Sequence, residues 1–109
     1  MSNLLTGNVT LIQMLQVTID PASVNANTSV EQTFTVPGLQ VGDMVVTNKP
    51  TTTVGLTVGG FRVSAANTLA MTLGNLTGSA INPASERYMI LVFRHDAPSI
   101  ASLPSAVMA

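Results

Sequence analysis

The residues best suited to chemistry are ionisable side chains at the two ends of one apolar segment, which runs from Glu86 to Arg94. His95 follows this segment and is the only histidine, the residue type that most readily exchanges protons at neutral pH. His95 and Asp96 would form an acid–base pair if their side chains met. Adjacent residues of a strand point to opposite faces, however, and no Gly-x-Ser-x-Gly elbow presents a nucleophile. We therefore expect His95 to be a surface or interface residue and the protein not to be an enzyme.

Metal ions and cofactors have no recognisable motif in this sequence. The acidic residues stand singly and the chain has no cysteine, so neither an alternating-carboxylate calcium loop nor a thiolate zinc site is predicted. The Gly59-Gly60 pair lacks the lysine and the following helix of a phosphate-binding loop, and it is more typical of a bend in a strand. We predict no catalytic, cofactor-binding or metal-ligating residue.

Charged side chains are scarce, at 8% of the chain against roughly a quarter in an ordinary soluble domain. The net charge is −1 and the four basic residues are scattered, which argues against binding to nucleic acid. The longest apolar run, Met89 to Phe93, is far shorter than the ~20 residues that cross a membrane. A surface of Thr, Ser, Asn and Ala suits a molecule that lies against neighbouring protein subunits.

Alternation of apolar and polar residues predicts roughly six to eight short strands at about ten-residue spacing. Pro37-Gly38 predicts a tight turn, and Gly59-Gly60 predicts a bulge or turn. The last strand is the most apolar, so we expect both of its faces to be buried at the centre and place it in the middle of a sheet. The pattern predicts an antiparallel sandwich or barrel. The clearest strand segments are Met14–Ile19, Val30–Val36, Met44–Thr47, Val54–Val63, Leu69–Leu73 and Glu86–Arg94.

One domain is expected from the chain length of 109 residues. We divide it into an N-terminal extended arm at residues 1–12, a β-sandwich body at 13–95 and a C-terminal extended tail at 96–109. Pro98 and Pro104 favour an extended tail, and its remaining residues are apolar enough to fill a groove. The N-terminus has no positive region typical of a secretory signal, so we expect synthesis in the cytoplasm.

Three segments of the sequence resemble the small virion proteins of tailed bacteriophages, in particular capsid decoration or cement proteins. The resemblance covers roughly Val17 to Arg94 and leaves out both termini. Its motifs are turn and strand patterns, and none is catalytic. The three segments are EQTFTVPGLQVGD at 31–43, RVSAANTL at 62–69 and NLTGSAINPAS at 75–85, which leads to Tyr88.

The resemblance implies an all-β, antiparallel β-sandwich or jelly-roll-like body on the exterior of the capsid in the virion, after synthesis in the host cytoplasm. Such a protein bridges neighbouring major capsid subunits and stabilises their contacts. It also implies a homo-oligomer, with a trimer as the first expectation. A tail, fibre or head-fibre adhesion module is the alternative, because the same sequence motifs are compatible with many phage β-structures.

The interface residues expected under this interpretation come from the two arms and from two arginines. Arms can add strands to neighbouring subunits or fill their grooves. Arg62 and Arg94 interrupt otherwise apolar strands, so each needs a partner, either within the sheet or in an acidic patch on a neighbouring subunit. The candidate interface residues are Leu4, Leu5, Arg62, Arg94, Ile100 and Leu103.

Overall fold

A computed structural model describes residues 8–96, and this part of the chain forms an all-β structure of six strands. The all-β class expected from the alternating pattern is therefore confirmed. Every strand pairing is antiparallel. The strands are β1 (Val9–Ile19), β2 (Thr28–Thr35), β3 (Met44–Asn48), β4 (Leu56–Ala65), β5 (Thr68–Asn75) and β6 (Glu86–His95).

The strands form two three-stranded sheets, one ordered β1-β6-β3 and the other β2-β5-β4. The last strand, β6, lies in the middle of its sheet, as its apolar sequence predicted. The buried core combines side chains from both sheets, which is the arrangement of a β-sandwich. Leu69, Met71 and Leu73 of β5 are fully buried, and Tyr88, Ile90 and Val92 of β6 are buried in the same core.

The expectation that both faces of β6 are buried is wrong. Residues on the face opposite the core are only partly covered, and Met89 is 36% exposed. The reason is that a two-layer sandwich has no third layer to cover the outer face of either sheet.

The first strand begins at Val9, so residues 9–12 belong to β1 and not to the expected N-terminal arm. The pairing with β6 shifts register between Val9 and Leu11, which marks a β-bulge at Thr10. An extra residue at a bulge interrupts the two-residue period, and this interruption hid the start of the strand in the sequence. Residues 1–7 and 97–109, the rest of the expected arm and tail, lie outside the described residues.

Both glycine-based predictions are confirmed. Gly38 has a φ of +97°, which a turn after Pro37 requires, and its amide donates a hydrogen bond to Asn67 Oδ1 at 2.8 Å. The β4–β5 pairing shifts register between Gly59 and Arg62, so the glycine pair forms the predicted bulge. The turn follows the end of β2, whereas β4 continues through its bulge from Leu56 to Ala65.

A buried asparagine joins three segments at one end of the sandwich. Asn75 is 1% exposed, and its Nδ2 donates to the carbonyl oxygens of Val24 at 3.0 Å and Ser79 at 2.8 Å. Its Oδ1 accepts hydrogen bonds from the amide of Thr77 at 2.8 Å and from the Thr77 hydroxyl at 2.7 Å. The Val24 carbonyl also accepts from the Ile81 amide at 3.0 Å and the Ser79 carbonyl from the Thr77 hydroxyl at 2.8 Å, so Asn75 adds a second bond to each and is the acceptor for the Thr77 amide.

We predict that Asn75→Ala destabilises the protein by about 2–3 kcal/mol, because it removes four hydrogen bonds at a buried site and leaves the Thr77 amide without its partner. Urea denaturation followed by circular dichroism measures the free energy of unfolding. Asn48→Ala is the matched control, since Asn48 is exposed at the end of β3 and its loss should change stability by less than about 0.5 kcal/mol. Equal effects of the two substitutions would contradict the role given to Asn75.

Candidate functional site

His95 lies at the end of β6 beside two backbone carbonyls. Its Nε2 is 3.0 Å from the oxygen of Gly42, and its Nδ1 contacts the carbonyl oxygen of Asp96. The ring is therefore held by main-chain oxygens and not by the Asp96 carboxylate. Within residues 8–96, no three His, Cys, Asp or Glu side chains gather in a position to hold a metal ion.

Arg94 is bound to Asp43 by two hydrogen bonds. Its Nε donates to Oδ1 at 2.9 Å and its Nη2 to Oδ2 at 2.8 Å, and Nη2 also reaches the carbonyl oxygen of Gly38 at 2.8 Å. The Asp43 side chain is only 3% exposed. The bonds from Arg94 hold the pKa of Asp43 below its ordinary value, although burial opposes that shift. The pair fixes the loop between β2 and β3 against β6.

Arg62 forms a similar pair on the other sheet. Its Nε and Nη2 each donate to a carboxylate oxygen of Glu31 at 2.8 Å, across the central strand β5. The hydrogen bond from Arg62 lowers the pKa of Glu31. Both arginines thus lie in intramolecular ion pairs, one of the two arrangements that the sequence left open. The other candidate interface residues lie outside the described range: Leu4, Leu5, Ile100 and Leu103.

Glu86, at the start of β6, forms a third ion pair, with Lys49. Lys49 Nζ donates to Glu86 Oε1 at 2.9 Å, and the amide of Thr51 donates to Oε2 at 3.2 Å. The Thr51 hydroxyl also donates to Oε1. Hydrogen bonds from Thr51 and Lys49 lower the pKa of Glu86. Glu86 therefore anchors the loop after β3 and is not poised as an acid.

A cleft of about 250 Å³ opens between β1, β6 and the Pro37-Gly38 turn. Its walls are mostly apolar, and its one ionisable lining group, Arg94, is already paired with Asp43. No nucleophile or proton-transfer group lines the cleft. The lining residues are Leu11, Gln13, Leu15, Pro37, Gly38, Leu39, Val92 and Arg94.

The most unusual surface is the outer side of the β1-β6-β3 sheet, which faces away from the core. The strand register aligns its side chains in rows across all three strands. Two rows are entirely apolar, and the third has Met89 between two polar residues. We call this surface the outer apolar face. Its rows are Ile12–Phe93–Met44, Met14–Leu91–Val46 and Gln16–Met89–Asn48.

The apolar side chains that β1 and β3 contribute to the outer apolar face are open to solvent, while Leu91 and Phe93 of β6 are partly covered. Met44 is 66% exposed, Val46 57% and Met14 54%. Three strands at about 4.8 Å spacing and three rows at about 6.7 Å give a patch of roughly 300 Å², a size that is often functional on a soluble protein. Methionines adapt their shape to a partner, and two of the three rows contain one on an edge strand.

The outer side of the second sheet has the opposite character. Its rows consist of Ser, Thr, Gly and Ala with the Arg62–Glu31 pair, and it presents no large apolar side chain. The two sheets are built from the same alternating pattern, so the difference lies only in which residues point outward. The outer apolar face is therefore a specific feature of one side of the molecule. The polar outward residues include Ser29, Glu31, Thr33, Thr35, Thr57, Arg62, Thr68 and Thr72.

The outer apolar face was not predicted from the sequence, although consecutive apolar residues in two strands indicated it. Met44, Val45 and Val46 are consecutive apolar residues in a strand, so one face of β3 had to be apolar outside the core. The apolar sequence of β6 carried the same information. Since a strand cannot bury both faces in a two-layer fold, the excess apolar residues indicated an exposed patch.

Comparison with protein-family models, with curated proteins and with solved structures found no match to this chain. The part of the chain that the structure describes has no helix of the length and hydropathy needed to cross a membrane. The geometry of the described residues thus carries the functional argument.

The Asp43–Arg94 pair predicts a pH dependence of stability. A carboxyl group whose pKa is lowered in the folded state stabilises the protein above its ordinary pKa, here 3.8, and this contribution disappears as the pH falls through the lowered value. We expect Asp43→Asn to lower Tm by roughly 5–10 °C at pH 7. The difference from the wild type should shrink below pH 3.8. Thermal melts between pH 7 and pH 2.5 measure both effects.

The matched control for this prediction is Asp20→Asn. Asp20 is exposed and has no ion pair among residues 8–96, so its substitution should change Tm little at neutral pH. A loss of Tm in Asp43→Asn that is the same at pH 7 and at pH 2.5 would show that the ion pair does not stabilise the fold.

Proposed function

We propose that this chain is a structural virion protein, a decoration or cement protein that binds the outer surface of a phage capsid and stabilises contacts between major capsid subunits. The single observation that carries this proposal is the outer apolar face. Burial of exposed apolar surface is the main favourable contribution to most protein–protein association. The sequence resemblance supplies the class of partner, and the face supplies a surface with which to bind it.

The ionic groups of the chain support a binding role over catalysis. The ionisable residues Glu86, Arg94 and His95, at the two ends of β6, are each held by the protein's own loops. A catalytic acid or base needs a free group of tuned pKa in a cleft, and the described cleft presents none. We therefore propose that the protein is not an enzyme and acts without a cofactor.

A capsid lattice suits a protein with one modest apolar face. The lattice repeats the same binding site many times, and a protein that binds only the assembled form stabilises that form by mass action. A patch of roughly 300 Å² is smaller than a standard interface of about 800 Å² per partner. Additional contacts from the arms, or from several copies that act together, complete the association through avidity.

The strand order supports a finer description of the fold. An eight-stranded jelly roll consists of two four-stranded sheets. Removal of one hairpin from it leaves an order in which the last strand lies between the first and third. The sheets β1-β6-β3 and β2-β5-β4 match that shortened arrangement. The proposal thus includes a jelly-roll-like body with extended N- and C-terminal arms.

The proposed location is the capsid exterior of the virion, after synthesis in the host cytoplasm. The partner is the major capsid protein lattice, without nucleic acid or membrane contacts. The resemblance implies a homo-oligomer, and a trimer is the state it favours. A tail, fibre or head-fibre adhesion module is the alternative, and cosedimentation with purified tails in place of heads would support it.

We predict that the purified protein cosediments with expanded, undecorated heads of the phage that encodes it, and not with unassembled capsid subunits. Val46→Glu should weaken binding to heads at least tenfold, because an unpaired carboxylate would be buried at the interface. Val46 is 57% exposed and outside the core, so the variant should fold normally. Quantitative sedimentation over a range of protein concentrations gives the affinity.

The matched control is Thr33→Glu, which adds the same charge to the polar outer side of the second sheet. It should leave binding to heads unchanged. Equal losses for the two variants would indicate a nonspecific effect of charge. Binding of neither the wild type nor the variants to heads would overturn the proposed function.

A further inference from the structure

We propose that the free edge of β1 pairs with the β1 edge of a second copy of this chain, in an antiparallel arrangement with a two-fold axis near Met14. The interface does not rest on the proposed function, because it concerns the chain alone. Three observations support this pairing: the exposed edge of β1, the comparison with the other edge strands and the cleft beside β1.

The edge of β1 has one of the features that usually protect an edge strand, the bulge at Thr10 near its start, and lacks the others. Within residues 8–96, β1 pairs only with β6, so its second row of backbone amides and carbonyls has no ladder partner. The strand has 11 residues, VTLIQMLQVTI, with no charged residue and no proline. A long, uncharged edge is a template for pairing with another chain.

The other edge strands are protected in recognisable ways. β2 carries Glu31, and β4 carries Arg62 together with the Gly59-Gly60 bulge. β3 has only five residues and is followed by Lys49 and Pro50. Charges, bulges, prolines and short length all oppose edge-to-edge association. From Leu11 to Ile19, β1 is therefore the least protected of the four edge strands.

A second copy of β1 fits this edge better than other occupants. Identical uncharged strands bring no like-charge repulsion, and a two-fold axis lets each copy present the same surface. Pairing with β3 of another copy in a ring would be limited to five residues. The tail at 97–109 contains Pro98 and Pro104, which leave only the five residues 99–103 for an uninterrupted ladder.

The register of this pairing preserves both faces of the sheet. An axis at Met14 sets Ile12 opposite Gln16 and Leu11 opposite Val17, so outward residues meet outward residues. The result is a continuous six-stranded sheet, β3-β6-β1-β1-β6-β3, in which the two outer apolar faces become one surface. The 250 Å³ cleft also lies along this edge, and the half-exposed inward residues of β1 would gain cover from the second copy.

The size of the contact agrees with a stable dimer. A strand of 11 residues is roughly 36 Å long, and a two-layer sandwich is roughly 20 Å thick, so the side wall covers roughly 700 Å² per copy. A standard protein interface buries about 800 Å² per partner. The two-fold dimer differs from the trimer that the resemblance implies, and a mass measurement separates them.

The test uses the full chain without capsids. Sedimentation equilibrium of the wild type should give the mass of two chains. Met14→Lys and Met14→Glu should each raise the dimer dissociation constant at least tenfold, because the axis sets like charges beside each other. A one-to-one mixture of these two variants should restore the dimer, since the charges then attract. Restoration also shows that both variants are folded.

Val46→Lys and Val46→Glu are the matched controls, on the same outer face but on β3, and they should remain dimers. Because the chain has no cysteine, Met14→Cys should form a disulfide-linked dimer under mild oxidation, and Val46→Cys should not. A wild type that is a monomer or a trimer, or a Met14→Lys variant that dimerises normally, would overturn this inference. Those results would leave the head-binding proposal standing, because head binding is measured separately.

Discussion

The structure depends on a constraint at β6, which is apolar on both faces and lies between two other strands. A sandwich of two sheets covers only one face of each sheet, so Tyr88, Ile90 and Val92 join the core while Met89 and its neighbours remain outside. Central placement satisfies the backbone of β6 on both sides. It also places the uncovered apolar residues in the middle of an exposed sheet, where β1 and β3 extend them into a surface.

The few charged groups serve this arrangement by fixing loops. Each ion pair joins parts of the chain that are distant in sequence: Arg94 joins β6 to the loop before β3, and Lys49 joins the loop after β3 to the start of β6. The loops between the strands need such links, since loops have few apolar contacts of their own. The residues that first suggested chemistry are therefore part of the framework that holds the sheet in shape.

The sequence predicted the core more accurately than the surface. Strict alternation in Leu69, Met71 and Leu73 identified a core strand, because burial imposes a period of two on one face. The start of β1 was missed because the bulge at Thr10 interrupts that period. The outer apolar face was missed for a different reason. Which of two apolar faces points to the core depends on how strands pair, and the residues of a single strand do not contain that information.

The ion pairs affect how the contacts of this protein would respond to ionic strength and temperature. Three pairs use six of the nine charged side chains, four basic plus five acidic, and the chain has little charge left to steer a partner over long distances. Contacts made by its apolar face should resist high ionic strength and tighten in sulfate, which strengthens the burial of apolar groups. They should also weaken on cooling, as hydrophobic contacts do. A partner bound to this face would therefore dissociate more readily on cooling than at high salt concentration.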